Sequence, residues 1–63
     1  MNKWLMEIKE IGYGTHELIV DRDFVEKNLT ACEAHDLNFL WVTNDKCFNL
    51  RHVSRIEFIK EKN

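Results

Sequence analysis

Leu37-Asn38-Phe39-Leu40-Trp41-Val42-Thr43-Asn44-Asp45-Lys46-Cys47-Phe48-Asn49-Leu50 is the stretch that decides the fold. Leu37, Phe39, Trp41 and Thr43 alternate with Asn38, Leu40, Val42 and Asn44. That two-residue period is the signature of a strand with two different faces. Asn44-Asp45-Lys46 has turn chemistry and lies between two runs of strand formers. Cys47-Phe48-Asn49-Leu50 alternates again, so the segment predicts an antiparallel hairpin.

The neighbouring segments extend this pattern. Val53 and Ile56 have the spacing of a single helical turn. Ile56-Glu57-Phe58-Ile59 reads as a last strand, followed by a charged tail, Lys60-Glu61-Lys62, that is expected to fray. Near the start, Trp4, Met6 and Ile8 alternate with Leu5 and Glu7 as in a half-buried strand, with a helix over 3–11 as the alternative. Gly12-Tyr13-Gly14 breaks regular structure, and Glu17 to Val20 reads as a second short strand. Asp23 is placed to cap a helix, with Glu26 at the capping-box partner position. Val25, Leu29 and Cys32 then recur at helical spacing. The helix is predicted from about Phe24 to Ala34. Thr30 and Glu33 form a second capping-box pair, which leaves two short turns as the alternative. The fold class that follows is α+β: one domain over 1–63, a small twisted antiparallel sheet and one short helix.

The spacing Phe48-x-Leu50-x-x-Val53-x-x-Ile56-x-Phe58 resembles the strand, one-turn 3₁₀ helix, strand ending of SH3-like and Sm-like small barrels. The resemblance covers about a fifth of the chain and implies a partly closed barrel. It concerns fold and assigns no function.

Composition excludes several classes. A chain of 63 residues buries too little surface for a large core, so support from a partner or a second copy is expected. Net charge is −2, which gives no general pull toward DNA, RNA or an anionic membrane. The charges are unevenly spread. Glu7, Glu10, Glu17, Asp21, Asp23 and Glu26 outnumber Lys9 and Arg22 in the first half, whereas Lys46, Arg51, His52 and Arg55 lie in a stretch without acids. Two cysteines are too few for a disulfide-dense secreted domain, and the longest apolar runs are far too short to span a bilayer. A cytoplasmic protein with reduced thiols is the expectation.

Candidate sites follow from residue chemistry. Cys32-x-x-His35 and Cys47-x-x-x-x-His52 could together supply four zinc ligands, one alternative for a small domain in need of a staple. Against it, Cys32 lies on the helical stripe expected to face the core. A nucleophilic centre would draw on Cys47 with His52 or His16 and a carboxylate such as Asp45 or Asp21. A domain this small has little volume for a substrate pocket, so no enzyme and no cofactor are expected. Gly12-Tyr13-Gly14 lacks the remaining glycines and the flanking elements of a phosphate loop. Lys46, Arg51, His52 and Arg55, with Trp41, Phe48 and Tyr13 as stacking faces, make nucleic-acid binding the main alternative.

The leading expectation is protein binding. Two tryptophans, four phenylalanines and a tyrosine exceed what a modest core needs, and aromatics ringed by charge are interface material. Trp4, Tyr13, Trp41, Arg51 and Arg55 are the residues assigned to that role. The expected action is stoichiometric, as regulator, inhibitor or subunit of a larger intracellular protein, in the manner of small phage and mobile-element proteins. A homodimer is a further expectation.

Overall fold

The structure is a computed structural model, and it describes residues 2–62. Its elements are β1 (Lys3–Glu10), β2 (Gly14–Asp21), α1 (Arg22–His35), β3 (Phe39–Trp41), β4 (Cys47–Asn49), a 3₁₀ turn (Leu50–His52) and β5 (Val53–Glu61). This is an α+β protein. Three antiparallel strands in the order β2-β1-β5 form one sheet, and β3 and β4 form a second, two-stranded one. The strand, 3₁₀ turn, strand ending is present, with the turn three residues earlier than the Val53–Ile56 spacing suggests. Among the described residues no ladder joins the two sheets, so they do not form a continuous barrel wall.

Turn chemistry joins β1 to β2. The Tyr13 N–H donates to the Glu10 carbonyl at 3.1 Å, and Gly12 sits at φ +86°. Only Gly takes that third position of a type II turn without strain. The strands on either side are longer than the apolar pattern indicates, because both are paired along their length, from Lys3↔Asp21 to Glu10↔Gly14. At the other end, the tail expected to fray is in β5 as far as Glu61. Trp4 pairs with Glu61, and the Lys62 N–H donates to the Lys3 carbonyl at 2.8 Å.

The helix starts earlier than Asp23. Asp21 is the N-cap, extended at φ −81°, and its carboxylate accepts from the N–H groups of Asp23 (3.0 Å) and Phe24 (3.3 Å). A cap must be extended, and the last residue of β2 already is. Glu26 pairs with Arg22 one turn back (3.5 Å) instead of closing a capping box. Thr30 lies inside one continuous helix, its hydroxyl donating to the Glu26 carbonyl at 3.0 Å, so the alternative of two short turns is not what forms. Asp36 ends the helix in the left-handed region at φ 53°.

The core collects one face of every strand of the larger sheet, of α1 and of the hairpin. Met6, Ile8, Val20, Val25, Cys32, Leu40 and Val42 are buried, and Leu18, Leu29, Phe48 and Phe58 are among the half-buried residues around them. Two side chains tie α1 to one edge of β3. Cys32 Sγ donates to the Phe39 carbonyl at 3.4 Å, and Asn28 Nδ2 donates to the Trp41 carbonyl at 3.1 Å. Because β4 pairs with the other edge, β3 is bounded on both sides while its outer face stays open.

Arg22 fastens the helix start to the sheet. Its guanidinium lies 4.5 Å from the Trp4 ring centroid and 4.6 Å from that of Phe58, and the two rings meet edge to face at 6.3 Å. Half-buried cation–π contacts are each worth about 0.5–2 kcal/mol. Arg22→Ala is therefore expected to cost about 1–2 kcal/mol, and Arg22→Lys to recover only part of it because an ammonium cannot lie flat against two rings. Urea titrations of the three proteins check this; equal stability of the alanine variant and the parent would refute it.

Candidate interaction surface on the short hairpin

Strand alternation builds the surface. Leu40 and Val42 are fully buried, so the residues between them must point the other way. Phe39 is 58% exposed and Trp41 48% exposed, and Leu37, just before the strand, is 50% exposed. On β4, Asn49 lies opposite Phe39 and Cys47 opposite Trp41, so Cys47 shares the open face, and its thiol is free and exposed. Lys46 precedes Cys47 in the turn. Arg51 and His52 are exposed in the 3₁₀ turn that follows β4, where the Asn49 side chain accepts from the Arg51 N–H at 3.0 Å. Among the described residues neither Lys46 nor Arg51 forms an ion pair. Two aromatic rings thus lie in the open on a hairpin whose loop and following 3₁₀ turn carry the cations Lys46 and Arg51.

The other sequence-assigned residues are spread over the fold. Tyr13 is 76% exposed at the β1–β2 turn. The Ile11 N–H donates to the His52 carbonyl at 2.7 Å, which sets that turn beside the 3₁₀ turn carrying Arg51. Trp4 is half-buried, with Nε1 donating to Asn2 Oδ1 at 2.8 Å and a ring face occupied by Arg22. Arg55 lies on the outer face of the larger sheet, held by Glu7 at 2.7 Å and Glu57 at 3.8 Å. The acid-free stretch is therefore divided: Arg55 is neutralised, while Lys46 and Arg51 are not. Phe48 packs at the core with its ring 5.4 Å from that of His16.

The zinc candidates Cys32, His35, Cys47 and His52 are not assembled. Cys32 faces the core, and Cys47 lies on the exposed face of β4. Among the described residues no group of three or more His, Cys, Asp or Glu side chains is placed to hold a metal ion. Of the two histidines that the nucleophilic arrangement offers to Cys47, His16 is turned away from it. His16 sits against Phe48 and is bonded to Glu10 at 2.9 Å, on the opposite side of β4 from Cys47. No described helix is long and apolar enough to cross a membrane.

Phe39 and Leu37 are the surface residues that sequence reasoning passed over. Phe39 shares the parity of Trp41, so the signal was present, but Leu40 and Val42 made both faces of the strand apolar. In comparison with known proteins, no family model matches the chain, and no curated protein or solved structure matches it.

Proposed function

We propose that the chain is a stoichiometric protein-binding module that docks a larger protein on the open face of β3 and β4, without catalysis. The observation that supports this best is that the core itself forces Phe39 and Trp41 into solvent. Burying Leu40 and Val42 leaves no other direction for the two rings. Large aromatics are the residues that most often dominate binding energy once a partner dries them. Lys46 and Arg51 suit an acidic rim on the partner, where charge adds on-rate and specificity.

The test is an affinity capture from the native host with the parent protein and with Trp41→Ala, Phe39→Ala and Arg22→Ala, each checked for folding by circular dichroism. A partner captured by the parent and by Arg22→Ala, but lost with the two hairpin variants, supports the reading. The same proteins recovered with all four would end it. Light scattering on the purified chain separates a homodimer from a hetero-complex.

A second reading places single-stranded nucleic acid on the same rings. It draws on the exposure of Trp41 and Phe39 and on Lys46, Arg51 and His52, exposed in the hairpin loop and the following 3₁₀ turn. So few cations make a weak phosphate track on a chain of net charge −2. Retention on oligonucleotide at physiological salt, lost with Arg51→Ala, would favour this reading over the first.

A further inference from the structure

We propose that the open edge of β2 is a second docking site, for an extended segment of a partner protein with a basic side chain and, two residues on, an apolar one. The inference rests on the protein-binding reading but uses a different face of the molecule. β2 ends the three-stranded sheet and, among the described residues, pairs with β1 alone. Such an edge presents backbone donors and acceptors that an added strand satisfies.

The register fixes what the added strand would meet. On the outer face Glu17 lies opposite Glu7, and Glu7 lies opposite Glu57, so three carboxylates stand abreast. Like charges directly across a ladder destabilise it. Arg55 answers only one end of the row, reaching Glu7 at 2.7 Å and Glu57 at 3.8 Å. Glu17, at the β2 edge, is exposed and forms no ion pair among the described residues. A Lys or Arg on the next strand would complete the row.

The neighbouring row is apolar: Ile19 lies opposite Leu5. Ile19 is exposed and borders a cleft of about 250 Å³ formed with Val20, Phe24, Val42 and Asn44. Side chains two apart on a strand share a face. A cation beside Glu17 therefore places the residue two positions along beside Ile19, at the cleft. A second copy does not supply this pattern well. On its own edge strand β5 the residue in the glutamate row is Glu57, and the cation next along that face, Arg55 opposite Lys9, is already held by two glutamates. A second β2 edge would bring another Glu17.

The experiment titrates the ¹⁵N-labelled protein with a capped peptide of alternating Lys and Val, and with its counterpart carrying Glu for Lys. The expected result is amide shifts centred on Ile19, Val20 and Thr43, with the basic peptide bound about fivefold or more tightly than the acidic one. Glu17→Lys reverses the preference and Glu17→Gln abolishes it, so either exposed variant suffices if the other fails to fold. Trp41→Ala leaves the peptide affinity unchanged, which keeps failure here distinct from failure of the hairpin surface. Equal affinity for the two peptides, no binding, shifts confined to Phe39 and Trp41, or a dimer in which β2 amides are already protected from exchange would overturn the proposal.

Discussion

Replacing Leu40 by Ala is expected to leave the protein largely unfolded at room temperature or melting far below the parent. Leu40 is fully buried, opposite Phe48 in the hairpin and at the junction of β3 with the core. Deleting a buried leucine side chain costs about 2–5 kcal/mol. Small domains have about 0.05–0.15 kcal/mol of stability per residue, which for this chain is roughly 3–9 kcal/mol in all. The loss thus takes a large share of the total. Its neighbour Phe39 is 58% exposed, so less than half of its area is at stake. Phe39→Ala is expected to cost only about 1 kcal/mol by the same area argument, reduced for a compact unfolded state. Urea titrations followed by tryptophan fluorescence check the pair, since both variants keep Trp4 and Trp41. If Phe39→Ala proved as costly as Leu40→Ala, the face of β3 assigned to solvent would be wrong, and the interaction surface with it.

The second large effect is on binding. Once a partner is in hand, Trp41→Ala is expected to weaken it by about 2–4 kcal/mol, a loss of about 30-fold or more in affinity. A ring at the centre of a dried interface carries that much because its whole open face is lost at once. Arg51→Ala is expected to cost less than about 1 kcal/mol and to act on the association rate, with the difference fading at high salt. Isothermal titration at two salt concentrations separates the two behaviours. Cys47 gives an independent reading, since it lies opposite Trp41 and its thiol is exposed, whereas Cys32 is buried. Maleimide labelling of Cys47 in the free protein should be blocked in the complex. Labelling at an unchanged rate would place the partner elsewhere.

Much of the fold is readable from local chemistry. The hairpin from Leu37 to Leu50 follows from two alternating runs and the Asn44-Asp45-Lys46 turn, and it forms. The β1–β2 connection follows from Gly12 and Gly14, both at positive φ. The helix follows from Val25, Leu29 and Cys32. Its cap did not follow, because Asp21 and Asp23 have the same side chain, and only the pairing of β2 up to Lys3↔Asp21 shows which is extended. Where the four candidate metal ligands lie did not follow either, for a similar reason. Spacing along the chain groups Cys32 with Cys47, but the hairpin puts them on different sides of β3 and β4.

Read alone, the chain specifies an α+β domain, its turns, and a β3 strand with two faces. It does not choose between those faces, because Leu40 and Val42 are as apolar as Phe39 and Trp41. The choice belongs to the tertiary structure. Asn28 and Cys32 hold one edge of β3 against α1, β4 takes the other edge, and only the face carrying Leu40 and Val42 can then turn toward Met6, Ile8 and Val25. The same holds for the row of Glu17, Glu7 and Glu57, which are ten and fifty residues apart along the chain. Strand register brings them side by side. Periodicity is a local property of the backbone, whereas the neighbour across a sheet is set by long-range pairing and by what the core has room to bury.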